Sequence, residues 1–169
     1  GYAHALIGKW HLGTSHGGAL APNMAGWSHF AGLLGGKSPY HRWQRTENGV
    51  TFQSTVYTTT KMTNDALRWI RQQAAPWLCV VAYNAPHAPD QVSEAHLAPV
   101  AHIPDANRRL YAGLVQGIDV GVGRLGEAGR DDAVEPRARR VEERLAKLGD
   151  AEEKGLGEGA NGQQRVAVA

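Results

Sequence analysis

The apolar run from Trp77 to Tyr83 limits the fold of this chain more than any other feature of its sequence. The run has the length of a strand, is rich in β-branched and aromatic side chains, and follows Pro76, which breaks the preceding pattern. An uninterrupted apolar run of this kind is typical of a strand that other elements cover on both faces. The run therefore predicts a strand inside a layered sheet.

Helical patterns lie on both sides of this run. Before it, cap-type side chains at 63–65 precede an apolar helical face that ends near Gln73. After it, apolar residues recur at steps of four and three from Leu110 to Leu125, although glycines interrupt the pattern. These spacings predict two helices, and the glycines of the second indicate close packing.

A short strand pattern at Tyr2–Ile7 stops at Gly8 and precedes both helices. The order strand, helix, strand, helix predicts an α/β layer structure, in which ligands gather beyond the carboxyl ends of strands. From residue 13 to residue 49 no steady period exists, and we interpret this segment as a long irregular connection.

Two predicted strands end in loops with side chains suited to an anion. Lys9 and His11 follow the first strand, and the lysine supplies a point charge while the histidine supplies a hydrogen bond or a proton. His87 follows the second strand between Pro86 and Pro89, which restrict its backbone. Each feature alone is more typical of surface residues, but the two loops together predict a site at one edge of the sheet.

Composition excludes several other kinds of protein. The net charge is only +2 and the basic residues form no stripe, so a nucleic-acid partner is not expected. No apolar run is long enough to span a bilayer, and the histidines lack the spacing of a transition-metal site. The single cysteine, Cys79, lies in the apolar run and is expected to be a buried thiol.

The first residues, Gly1–Gly13, read Gly-Tyr-Ala-His-Ala-Leu-Ile-Gly-Lys-Trp-His-Leu-Gly. This string is similar to the sulfatase signature Gly-Tyr-x-Thr-x-x-x-Gly-Lys-Trp-His-Leu-Gly and departs from it at His4. Later segments resemble the family in the same order: Gly26–Phe30, Ala66–Ile70, Asn84–Pro89 and Ile118–Leu125. The resemblance covers residues 1–125, which we interpret as a partial sulfatase domain.

The resemblance implies an alkaline-phosphatase-like α/β fold, with a mixed sheet flanked by helices, in an arylsulfatase-type sulfuric ester hydrolase. Its substrate would be a small-molecule or carbohydrate sulfate ester, and its nucleophile a formylglycine hydrate. Lys9 would contact the sulfate and the nucleophile region, His11 would hydrogen-bond the formylglycine hydroxyl, and His87 would bind the ester near the leaving oxygen. A phosphate or phosphonate monoester hydrolase of the same superfamily is the alternative.

Several family motifs do not occur in this sequence. No Cys/Ser-x-Pro-x-Arg segment is present to form formylglycine. The paired aspartates near the family's N-terminus and the later Asp-Asn-Gly strand end, which supply its Ca²⁺ site, are also absent. We therefore expect formylglycine and the Ca²⁺ ligands outside this chain, and no metal ligands within it. The isolated chain is expected to be inactive and marginally folded, and a non-catalytic remnant that binds a partner is a second alternative. Oligomeric state stays open, as does export of the full-length parent to the periplasm or medium.

After Leu125 the sequence leaves the family pattern and becomes rich in charge. We interpret residues 126–169 as a non-homologous charged tail, with an amphipathic helix from about 133 to 149 and disorder beyond it. A reading-frame change or a truncation would explain the transition. A genuine divergent C-terminus is the alternative.

Overall fold

Five strands form one sheet in the structure, a computed structural model that describes residues 1–74 and 76–134. The strands are β1 (Ala3–Lys9), β2 (His29–Leu33), β3 (Trp43–Glu47), β4 (Val50–Ser54) and β5 (Trp77–Ala82). The helices are α1 (Ala21–Met24), α2 (Thr58–Ile70), α3 (Glu94–Leu97) and α4 (Ala106–Val134). The chain divides into units Gly1–Gly129 and Arg130–Ala169, and the sheet belongs to the first. From residue 135 onward, the predicted tail helix and disordered end lie outside the described residues.

The strand order β4-β3-β2-β1-β5 makes the sheet mixed. β1 pairs in parallel with both β2 and β5, whereas β2, β3 and β4 pair antiparallel. A tight turn joins β3 to β4 at Asn48 and Gly49, whose positive φ values of 45° and 87° suit a two-residue hairpin. The prediction of an α/β fold with a mixed sheet flanked by helices is confirmed.

The interpretation of residues 13–49 as irregular connection is wrong, because this segment contains α1, β2 and β3. These elements are short, and β2 and β3 gain their backbone hydrogen bonds from neighbouring strands. No long periodic pattern therefore marks them in the sequence.

Helix α2 begins at Thr58, earlier than the predicted cap residues 63–65. Those three residues lie in the middle of the helix, and their side chains do not cap its first turn. The Thr63 hydroxyl donates to the carbonyl four residues earlier, at 2.9 Å, and Asp65 forms an ion pair with Arg45 of β3. Through Asp65, a residue type that usually begins a helix here connects the middle of α2 to the sheet.

The main core lies between α2 and one face of the sheet. Its buried members are Ala5, Ile7, Ala31, Leu33, Trp43, Met62, Ala66, Trp69 and Ile70. On the other face of β5, Leu78 and Val80 are 52% and 38% exposed. The expectation that both faces of this strand are covered is wrong for the described residues, since both of these side chains are exposed.

An ion-pair network joins α2 to β3 within this core. Nε and Nη2 of Arg45 both lie 2.8 Å from Asp65 Oδ2, and the two residues are 1% and 2% exposed. Lys61 and Arg68 donate to the other carboxylate oxygen of Asp65. The Glu47 carboxylate accepts hydrogen bonds of 2.8 Å from Arg45 and from Arg68. Burial of Glu47 opposes its ionisation, but hydrogen bonding and charge from Arg45 lower its pKa overall. The network therefore keeps the Glu47 carboxylate ionised.

Helix α4 confirms the predicted second amphipathic helix, and three of its glycines make close contacts. A Cβ at Gly113 would lie 2.7 Å from Val92 Cγ1, and one at Gly117 would lie 3.0 Å from His96 Nδ1. A Cβ at Gly121 would lie 2.5 Å from the Tyr83 hydroxyl. The glycines thus let α4 approach the segment after β5, as expected. Within residues 1–74 and 76–134, no helix combines the length and apolarity needed to cross a membrane.

Cys79 packs against the core from β5, and burial raises the pKa of its thiol to about 11. The ordinary value is 9.0, so the thiolate fraction near neutral pH is about 100-fold lower than for an exposed thiol. We expect iodoacetamide to label native Cys79 at least tenfold more slowly than the urea-unfolded chain at pH 8, measured by mass spectrometry. Equal labelling rates in the two states would contradict a protected thiol.

Candidate functional site

Lys9 and His11 leave the sheet at the carboxyl end of β1, and backbone bonds to the end of β2 hold this segment. Trp10 N donates to Leu33 O at 2.8 Å, and His11 N donates to Leu34 O at 3.2 Å. The segment thus continues the β1–β2 pairing past the end of the strands. Both residues are placed by main-chain contacts.

The imidazole of His11 lies against the backbone of Gly36. A Cβ built on Gly36 would come within 2.5 Å of His11 Nε2, so only glycine leaves room for the ring in this position. His11 has a positive φ of 51°, an uncommon conformation for a residue with a side chain. The ring is exposed to solvent and available to a ligand.

His87 lies in the loop that follows β5. Its backbone N donates to Asn84 O at 3.1 Å, and its Nδ1 lies 2.7 Å from Ala88 O. The second contact favours the tautomer with hydrogen on Nδ1, which leaves Nε2 directed to a ligand or to water. His87 is exposed, while Asn84 and Ala85 beneath it are buried.

Two buried tyrosines hold the His87 loop from the opposite side. The Tyr40 hydroxyl donates to His87 O at 2.7 Å, and Tyr40 N donates to Gln91 Oε1 at 2.8 Å. The Tyr57 hydroxyl donates to Gln91 O at 3.1 Å, and the two tyrosine rings stack 5.4 Å apart. Burial raises the pKa of Tyr40, so its hydroxyl stays protonated as a donor. Sequence reasoning missed this support, because no local pattern connects Tyr40 to the loop.

The topology brings the two loops to one edge of the sheet. β1 and β5 are parallel neighbours in which Gly8 is paired with Ala82, so both strands end side by side. Lys9 and His11 emerge from one strand and the His87 loop from the other. No hydrogen bond joins the three side chains to each other within residues 1–74 and 76–134. Their individual roles stay predictions.

The side chain of Asn84 is an unusual feature of this edge. Asn84 is 2% exposed, yet neither Oδ1 nor Nδ2 has a hydrogen-bond partner among the described residues. An unpaired buried polar group costs about 1 to 3 kcal/mol, so such groups usually meet a partner. In the sequence, Asn84 was identified only as the first residue of the segment Asn84–Pro89.

A calcium site needs about six oxygen ligands. Within residues 1–74 and 76–134, no cluster of three His, Cys, Asp or Glu residues could hold a metal ion. The described residues therefore do not fit a Ca²⁺ site by themselves.

Comparison with known proteins gives consistent results. A family model described as Sulfatase matches residues 1–134. The crystal structure of Ps i-CgsB is similar with a TM-score of 0.70 and 28% identity, covering 77% of this chain and 34% of that one. Ps i-CgsB in complex with k-i-k-neocarrahexaose is similar at a TM-score of 0.69, with the same identity and coverage. The Bacteroides fragilis protein yidJ, described as a sulfatase, shares the fold at a TM-score of 0.67 and 19% identity, covering 79% of this chain and 38% of its own. The chain thus spans about a third of the length of these solved proteins.

Proposed function

Because the chain belongs to the sulfatase family, we propose that it forms the anion-binding part of the active site of a sulfuric ester hydrolase. The observation that carries this proposal is the parallel pairing of β1 with β5. This pairing delivers a lysine and two exposed histidines to one edge of the sheet. A cation with nearby imidazoles suits a tetrahedral anion.

Each of the three residues has a distinct task in this proposal. Lys9 attracts the sulfate oxygens, and His11, positioned over Gly36, hydrogen-bonds the hydroxyl of the nucleophile. His87 keeps Nδ1 bonded to Ala88 O and offers Nε2, when protonated, to the leaving oxygen. Such donors stabilise charge that develops in the transition state. A formylglycine hydrate contributed from outside this chain would supply the attacking oxygen.

The substrate of the full-length protein is proposed to be a carbohydrate or small-molecule sulfate ester. The similarity to Ps i-CgsB, solved with k-i-k-neocarrahexaose, supports a carbohydrate. We expect Ca²⁺ in the full-length protein, with ligands outside the described residues. The isolated chain, which lacks a Cys/Ser-x-Pro-x-Arg segment, is expected to show no turnover.

The division of the chain after residue 125 also stays a prediction. Helix α4 continues through this point to Val134, and the family match ends at residue 134. We propose that the sulfatase part ends within or just after this helix. The remainder is then the charged tail.

Binding of sulfate to labelled protein tests the proposed site. In NMR titrations of the 169-residue chain, phenyl sulfate should shift the resonances of Lys9, His11 and His87. Lys9→Ala should weaken this binding about tenfold, the loss of one charge-assisted contact. His102→Gln, at an exposed histidine in a turn before α4, is the matched control and should change nothing.

Three results would contradict the proposal. Equal affinity of the Lys9→Ala variant would remove the lysine from the site. Clear preference for phenyl phosphate over phenyl sulfate would favour a phosphate monoester hydrolase. Absence of any binding would favour a non-catalytic remnant.

A further inference from the structure

A cleft of about 320 Å³, lined by both polar and apolar side chains, opens beside the candidate site. It lies between the loop that follows β2 and the β3–β4 hairpin. Two cations line it, Lys37 and Arg42, both exposed. No carboxylate lines the cleft, and neither cation forms an ion pair within the part of the chain that the structure describes. The cleft therefore has a positive potential, which favours an anionic group.

Neutral hydrogen-bonding side chains also line the cleft. Gln44 pairs across the hairpin with Gln53, and Thr46 pairs with Thr51 through hydroxyls 2.7 Å apart. Side chains alternate along a strand, so these four share the face opposite Arg45, whose partner Asp65 lies on α2. Amides and hydroxyls both donate and accept, which suits the hydroxyl groups of a sugar.

This cleft is continuous with the segment that carries His11. The residues that accept hydrogen bonds from Trp10 and His11, Leu33 and Leu34, also line the cleft. Gly36, which contacts the His11 imidazole, lies directly before Lys37. A ligand held at His11 can therefore extend along the loop into the cleft.

We propose that this cleft binds a second anionic group, a sulfate or a carboxylate, of an acidic saccharide whose first sulfate occupies the Lys9, His11 and His87 site. The inference rests on the proposed function and specifies its substrate class. Lys37 and Arg42 hold the second anion, while Gln44 and Gln53 bond sugar hydroxyls. The arginine fork matches either oxyanion with two parallel hydrogen bonds.

The test uses three forms of one disaccharide: one with a single sulfate, one with a second sulfate, and one with a single sulfate and a carboxylate. Binding to the 169-residue chain is measured by calorimetry. Both doubly anionic ligands should bind at least tenfold more tightly than the monosulfate. Lys37→Ala/Arg42→Ala should abolish this preference and leave the affinity for the monosulfate unchanged. Lys37→Arg/Arg42→Lys should keep it, and Arg71→Ala, at an exposed arginine outside the cleft, is the control.

The wild type and the double variant separate this inference from the proposed function. Absence of preference in the wild type, or its persistence in Lys37→Ala/Arg42→Ala, would overturn the second subsite. If only the disulfated ligand binds more tightly than the monosulfate, the cleft binds a sulfate; if only the ligand with a carboxylate does, it binds a carboxylate. Unchanged monosulfate binding in Lys9→Ala, with the preference still dependent on Lys37 and Arg42, would overturn the proposed function but retain the subsite.

Discussion

Replacing Gly8 with alanine is expected to lower the free energy of unfolding by more than about 4 kcal/mol, because it inserts an atom into the β1–β5 pairing. A Cβ at Gly8 would lie 2.0 Å from Ala82 O and 2.6 Å from Ala82 C. These are backbone atoms of the neighbouring strand, so no side-chain rotation relieves the overlap. The φ of 118° adds strain for any residue with a side chain.

Two other glycines separate steric overlap from backbone strain. Gly13 has a φ of 89° with no atom within 4 Å of a built Cβ, so Gly13→Ala should cost only about 1 to 3 kcal/mol. Gly35 has open space and no positive φ, so Gly35→Ala should be near neutral. Urea unfolding followed by circular dichroism ranks the three variants. If Gly8→Ala unfolds at the same urea concentration as Gly13→Ala, β1 does not approach β5 as closely at Gly8 as the structure shows.

Asp65→Ala should have an effect of similar size, because it leaves the buried charge of Arg45 without its main partner. Removing one member of a buried ion pair costs about 3 to 5 kcal/mol. The arginine side chain is 1% exposed, so water cannot replace the carboxylate without opening the contact between α2 and β3. Glu47 remains beside Arg45 Nη1 but cannot reach both nitrogens that face Asp65.

The matched control for this variant is Arg68→Ala, in the same network. The Arg68 side chain is 50% exposed, and an exposed ion pair contributes about 0 to 1 kcal/mol. Thermal unfolding should therefore show a large shift for Asp65→Ala and a small one for Arg68→Ala. Shifts of equal size would show that burial of Arg45 does not determine the energetics of the network.

Long patterns were readable in the sequence, and short elements were not. The run from Trp77 to Tyr83 and the spacing from Leu110 to Leu125 each identified an element. β2 and β3 escaped because each has only five residues and depends on pairing for stability. β3 had one local signal, the Asn48-Gly49 dipeptide, which favours a tight hairpin with β4.

The candidate site divides in the same way. Two sequence segments indicated these residues: Gly1–Gly13 contains Lys9 and His11, and Asn84–Pro89 contains His87, each where a predicted strand ends. The anchors of the His87 loop come from Tyr40, 47 residues from His87 and 51 from Gln91 along the chain. Contacts over such distances depend on the assembled fold. The sequence around Tyr40 does not indicate these contacts.

The sheet order also determines when its parts can form during synthesis. β3 and β4 are joined by a two-residue turn, so their ladder can close as soon as both strands leave the ribosome. β1 must wait for β5, since Ala3 pairs with Trp77. At synthesis rates of about 5 to 20 residues per second, one edge of β1 stays unpaired for roughly 4 to 15 seconds. Among the five described strands, the β1–β5 pairing is thus the last to form, and the nascent chain is most open to wrong strand partners during that interval.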